Sequence, residues 1–201
     1  MLAASAVVLA IACYFTPSEF VRGVMVGGGL VGVASALWLW VVQVTGTAPT
    51  MMGDLGEQFT AAELRTLSRS GWSVVNHVLL QTRDIDHVLV GPGGVIAVET
   101  KWSSLPWTVD PPENRIRDAV ESIRAHARQL TLWHSLKSLG VGQVRPVLIL
   151  WGARADEIPL TLADGVPVAG GPAARAWLAT LGSDALTDEQ VRRAWEALDA
   201  R

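Results

Sequence analysis

Uncharged residues dominate the first quarter of the chain, and regular alternation of apolar and polar positions begins only after it. Apart from Glu19 and Arg22, no charge occurs between residues 1 and 53. Residues 23–44 are uninterruptedly uncharged. As a helix they would span roughly 33 Å, against a hydrocarbon core of about 30 Å, which predicts a transmembrane helix. Trp38 and Trp40 fall toward its far end, where indole rings favour the headgroup level, and Gly28 and Gly32 form a GxxxG face for close helix packing. Residues 2–15 are apolar as well but short for a span. They lack the basic start of a signal peptide, so a membrane hairpin turning at residues 16–22 is expected.

After a small-residue and polar linker at 45–53, the pattern becomes that of a mixed α/β domain over residues 54–201. Residues 56–70 read as a helix with Phe59, Leu64 and Leu67 inward and Gly71 as its stop. A strand is expected at 72–80. Two more, 85–90 and 95–101, flank Gly91-Pro92-Gly93-Gly94, which reads as a hairpin closed by a type II turn. If Gly91 faces Gly94, opposed residues have numbers summing to 185 and Asp86 lies across from Glu99.

Residues 113–139 then read as one long helix, with Ile116, Val120, Ile123, Ala127 and Leu130 on its buried face and Gly140 ending it. Residues 144–151 form an almost unbroken apolar run, as in a strand buried on both faces. A short strand at 166–169 and helices at 172–181 and 188–198 complete the chain. Thr187 and Gln190 are spaced as a capping box for the last helix. The expected architecture is an α-β-β-β-α-β core over about 55–151, a mixed sheet flanked by helices, with a C-terminal strand and helices over 164–200, all behind a membrane anchor at 1–44.

Composition sharpens this picture in two respects. The mean hydropathy of +0.31 comes mainly from the N-terminal segment, while the net charge of −3 hides a basic stretch. Between residues 115 and 154 stand Arg115, Arg117, Arg124, Arg128, Lys137, Arg145 and Arg154 against Asp118 and Glu121. Arg115, Arg117, Arg124 and Arg128 could track a phosphate backbone, or form an ordinary solvated helix face. Trp102, Trp107 and Trp133 could stack on bases, with core packing the stronger expectation. Cys13 is the only cysteine, so neither a disulfide within the chain nor a cysteine zinc site can form. No Walker phosphate loop is present.

The candidate chemistry sits at the hairpin. Alternation places Glu99 and Lys101 on one strand face, and the expected register brings Asp86 to join them with Cβ atoms about 5 Å from those of Glu99. Two carboxylates facing each other unpaired repel, and a hard divalent cation such as Mg²⁺ or Mn²⁺ would relieve them. Lys101 could orient or deprotonate a water, or stabilise negative charge on a phosphate. Glu57 is a further carboxylate for the metal. Asp84 shares a strand face with Asp86 and is the alternative ligand, or else pairs opposite Lys101. His87 is expected to point to the other face, and His77, His126 and His134 show no metal spacing.

At these residues the chain resembles the nuclease-related domain (NERD) family of the PD-(D/E)XK restriction-endonuclease-like superfamily. The resemblance rests on Gly56-Glu57, on Asp84-Ile85-Asp86-His87-Val88-Leu89-Val90-Gly91-Pro92, and on Gly94-Val95-Ile96-Ala97-Val98-Glu99-Thr100-Lys101. It implies a restriction-endonuclease-like fold and Mg²⁺-dependent cleavage or processing of DNA. Asp86, Glu99 and Lys101 take the catalytic positions, Glu57 is the first-helix glutamate, and Gln129 is an auxiliary residue of the second core helix. After Lys101 the family pattern has an asparagine and a glycine-containing turn, where this chain has Trp102-Ser103-Ser104-Leu105. That departure favours the alternative of a nuclease-like module that binds nucleic acid or a protein at the membrane without cutting. The expected partners are nucleic acid, DNA before RNA, the membrane, and a second copy of the chain. The expected location is the membrane, with the soluble domain in the cytoplasm.

Overall fold

The computed structural model describes residues 14, 18–45, 47–80, 84–178, 180–182 and 185–200. The chain divides into two compact units, Met1–Met51 and Met52–Arg201. The first contains helix α1, Glu19–Val44, whose N-cap Ser18 accepts a hydrogen bond from Val21 N. Within it Glu19–Val42 has a mean hydropathy of 1.9, is long and apolar enough to cross a membrane, and buries none of that surface in protein. Nearly all of the expected first hairpin helix, residues 2–15, lies outside the described residues. Residues 47–53 of the expected linker, within which the division between the two units falls, are helical: helix α2 runs Thr47–Arg65 and passes into a 3-10 turn ending at Ser70.

The second unit is a six-stranded mixed sheet with helices on both faces. Its strands are β1 (Ser73–Leu79), β2 (Asp84–Gly91), β3 (Gly94–Ser103), β4 (Arg145–Gly152), β5 (Thr161–Ala163) and β6 (Val166–Gly170), in the order β1-β2-β3-β4-β6-β5. The first three form an antiparallel meander. Helices α3 (Asn114–Thr131) and α4 (His134–Ser138) make the crossover to β4, which lies parallel to both β3 and β6. Helices α5 (Ala174–Leu178) and α6 (Asp188–Asp199) follow the last strand.

Alternation along β3 and β4 builds two cores. Val95, Ala97, Leu148 and Leu150 join Ile116, Val120, Ile123 and Leu130 of α3 and Val191, Ala194 and Leu198 of α6. Ile96, Val98, Val147 and Ile149 join Leu64 of α2 and Trp177 and Leu178 around α5. Each fully buried aliphatic side chain is worth roughly 1.5–3 kcal/mol relative to exposure, so these strands stay central. Both cores lie wholly within residues 52–201.

Several expectations need correcting. The helix over 113–139 is broken, because Trp133 is extended (φ −64°, ψ 126°) and turns the chain so that Leu136 enters the core while Leu132 stays 74% exposed. Phe59 is exposed rather than buried, its ring set against Trp151 at 5.4 Å between centroids. The helix expected at 172–181 is a 3-10 turn followed by the short α5, and β5 is an additional edge strand. The hairpin does pair Gly91 with Gly94, but the positive φ falls on Gly94 (113°) and not on Gly93, so the turn is not type II. Tertiary contacts fix it: Pro92 O accepts hydrogen bonds from Ala185 N and Leu186 N at 2.7 and 2.9 Å. The capping box at Thr187 and Gln190 forms as expected.

Candidate active site

The β2–β3 ladder keeps the expected register from Gly91–Gly94 to His87–Val98 and stops one pair short of Asp86 and Glu99. Alternation fails at the same place. Ile85 and Val88, three positions apart, enter the same core, and so do Val75 and Val78 on β1. Opposite Asp86, His77 takes a left-handed backbone (φ 53°) and drops out of the β1–β2 pairing, which resumes at Val78–Ile85. Asp86 therefore does not face Glu99 as a ladder partner. Its Oδ2 instead accepts the backbone N–H of Thr100 at 2.7 Å, replacing a strand-to-strand bond at the open end of the ladder.

Glu99 projects from the middle of β3 and is only 6% exposed. Its Oε1 accepts from Lys101 Nζ at 2.6 Å, while Oε2 is buried without a hydrogen-bond partner among the described residues. Burial, and then the charge of Glu99, push the Asp86 carboxyl up to about 7 against the opposing bond from Thr100. Burial alone would lower the Lys101 pKa. The charge and hydrogen bond of Glu99, with Asp86 and Glu57 adding to them, hold it above the ordinary lysine value.

Glu57 reaches this group from α2, which crosses β3 and β4 with Gly56 against Thr100 and Trp151 and with Thr60 Oγ1 accepting from Thr100 Oγ1 and Trp151 Nε1. The Glu57 carboxylate lies 3.9 Å from His77 Nδ1. Burial raises its pKa first, His77 opposes this, and Asp54 and Glu99 add to the rise. His87 faces α2, as expected of the opposite side of β2. Its Nδ1–H donates to Asn76 Oδ1 at 2.8 Å, and burial, then the charges of His77 and Arg65, lower its pKa to about 4, so it is neutral at physiological pH.

Asp84 is exposed at the start of β2, across from Leu79, and the ladder to β3 ends before reaching it, so it is not a ladder partner of Lys101. Gln129 is half-buried on α3. Arg115 is tied into the segment after β3, donating to Ser103 Oγ, Pro106 O and Glu113 and lying 4.6 Å over the Trp107 ring. Arg124 donates to Asp164 O and Arg128 to Arg124 O, while Arg117 is exposed.

The departure after Lys101 is thus a built strap. Ser103 accepts from Arg115 and Leu105 N, and Trp107 Nε1 donates to Trp151 O. Trp107 and Trp133 pack against the core, which agrees with the stronger expectation for both. Asn76, His77 and Arg65 were not anticipated at the site. Only the disturbed alternation around Asn76-His77 hinted at the first two.

Among the described residues no group of three or more His, Cys, Asp or Glu side chains is drawn close enough to hold a metal ion. The donor chemistry nevertheless fits a hard cation in part. Asp86 and Glu99 repel each other, and Glu99 Oε2 is a buried oxygen with no hydrogen-bond donor among the described residues. The sequence model described as nuclease-related domain matches residues 52–151, the stretch from the first half of α2 to the end of β4. Searches of curated proteins and of solved structures return no match.

Proposed function

Residues 52–151 belong to the nuclease-related domain family of the restriction-endonuclease-like superfamily, and from that premise we propose that the chain is a Mg²⁺- or Mn²⁺-dependent nuclease hydrolysing phosphodiester bonds in DNA. The observation that carries the proposal is the unpartnered Oε2 of Glu99 beside the desolvated carboxyl of Asp86. Asp86 and Glu99 would hold the metal, with Glu57 joining directly or through water. A divalent ion there supplies a Lewis acid for the phosphoryl oxygen and an acidified water. Thr100 N orients the Asp86 carboxylate toward the site. Lys101, held as an ammonium by Glu99, stabilises negative charge on the phosphate and orients the water, which its raised pKa favours over deprotonating it.

The apolar helix Glu19–Val42 supports reading the chain as tethered to a membrane, and a DNA substrate favours placing the catalytic unit on the cytoplasmic side. A second reading, a nucleic-acid-binding module without cleavage, is favoured by the ion pair that occupies Glu99 and by the lack of a three-ligand cluster among the described residues. Cleavage of supercoiled and single-stranded DNA by residues 52–201 with Mg²⁺ or Mn²⁺, alongside Glu99→Ala and Lys101→Ala, separates the two. Metal-dependent cutting lost in both variants is expected. Binding without cutting selects the module.

A further inference from the structure

Beside Glu57, between α2 and β1, lies a cavity of ≈ 620 Å³ whose lining includes Asp54, Glu57, Arg65, Asn76, His77 and His87. Its charge is graded. Glu57 stands toward the candidate metal carboxylates with Asp54 one turn before it, whereas Arg65 stands two turns further along α2, about 12 Å from Glu57 at 1.5 Å per residue. No salt bridge engages Arg65 among the described residues. His77 lies across the cavity with its side chain 67% exposed, and its left-handed backbone sends the imidazole toward Glu57 where an extended strand would not. A non-glycine residue at positive φ costs about 1–3 kcal/mol and tends to persist where a site uses it. In the floor, Asn76 Oδ1 accepts from the buried His87 Nδ1–H at 2.8 Å.

Resting on the nuclease reading, we propose that this cavity is a backbone-phosphate subsite, in which Arg65 and His77 hold the phosphodiester strand flanking the scissile bond. The separation of about 12 Å between Glu57 and Arg65 is several times the ~3.4 Å axial rise per nucleotide of one B-DNA strand, so Arg65 would meet a phosphate other than the scissile one. Phosphate holding thereby moves from Arg115 and Arg124, which are engaged within the protein, to the helix that carries Glu57. A guanidinium and an imidazole contacting phosphates position the strand without reading its bases.

The test uses the full chain in nanodiscs with Ca²⁺ to suppress cutting, and fluorescein-labelled duplexes of two unrelated sequences titrated across a range of salt. Arg65→Gln is expected to lower the slope of log affinity against log salt by about 0.9 on both sequences, and Arg65→Lys to restore it. His77→Gly, which relieves the left-handed strain, is expected to weaken binding roughly tenfold without lowering the melting temperature. An unchanged slope in Arg65→Gln, or a wild type that binds neither duplex, overturns the subsite. Cleavage in Mg²⁺ is measured in parallel. A wild type that binds without cutting refutes the nuclease and leaves the subsite to be judged by the slopes, whereas cutting with an unaltered slope refutes the subsite alone.

Discussion

Replacing Asp86 by asparagine probes the like-charge arrangement directly, because the amide oxygen of the new side chain can still accept from Thr100 N while the charge is gone. The Asp86 carboxyl is raised from 3.8 to about 7. Between those values the native state holds a proton that the unfolded chain has released. Stability from this group is therefore fully present below pH ~4 and lost as pH rises through 7. At 1.36 kcal/mol per pH unit the loss amounts to about 4 kcal/mol at most, reduced to the extent that Glu99 shares the proton. Urea unfolding of residues 52–201 from pH 4 to pH 8 should show wild type and Asp86→Asn alike at the acid end. At pH 8 the variant should be more stable by about 2–4 kcal/mol. Mg²⁺ at pH 8 should narrow the gap by stabilising the wild type only. Parallel pH profiles for the two proteins would refute the account of Asp86 as a desolvated carboxyl raised further by the charge of Glu99.

Leu136→Ala should cost about 2–5 kcal/mol by urea unfolding, as the anchor of the turned segment after α3, while the neighbouring Leu132→Ala should cost under ~0.5 kcal/mol. Thr187→Ala should remove the cap of α6 for about 1 kcal/mol, read from the same unfolding midpoints. Gly152→Ala places a Cβ 2.0 Å from Ser103 O at φ 101°, so the strap after Lys101 must shift; a loss of at least about 1–3 kcal/mol and of DNA cleavage is expected, measured by melting and by plasmid nicking. Glu99→Gln should abolish Mg²⁺-dependent cleavage, and isothermal titration with Mg²⁺ should lose its heat in the same variant.

Local pattern alone carried most of the architecture. The apolar run at 144–151 became the central parallel strand because a segment apolar on both faces can only be satisfied between two helical layers. The glycine-rich turn set the β2–β3 register correctly, and the capping box placed α6, since both are interactions over a few residues. Glu57, Asp86, Glu99 and Lys101 were legible as a group through spacing and family resemblance.

What residues distant in sequence do to one another was decided only in three dimensions. The paired break at His77 and Asp86 destroys the period-two rule on which the facing of Asp86 and Glu99 depended, and a carboxylate takes a ladder position that alternation assigns to backbone. The contact of Phe59 with Trp151 and the engagement of Arg124 by Asp164 O likewise depend on partners dozens of residues away. Period and propensity are properties of neighbouring residues, whereas the placing of a charge beside another charge is a property of the packed sheet.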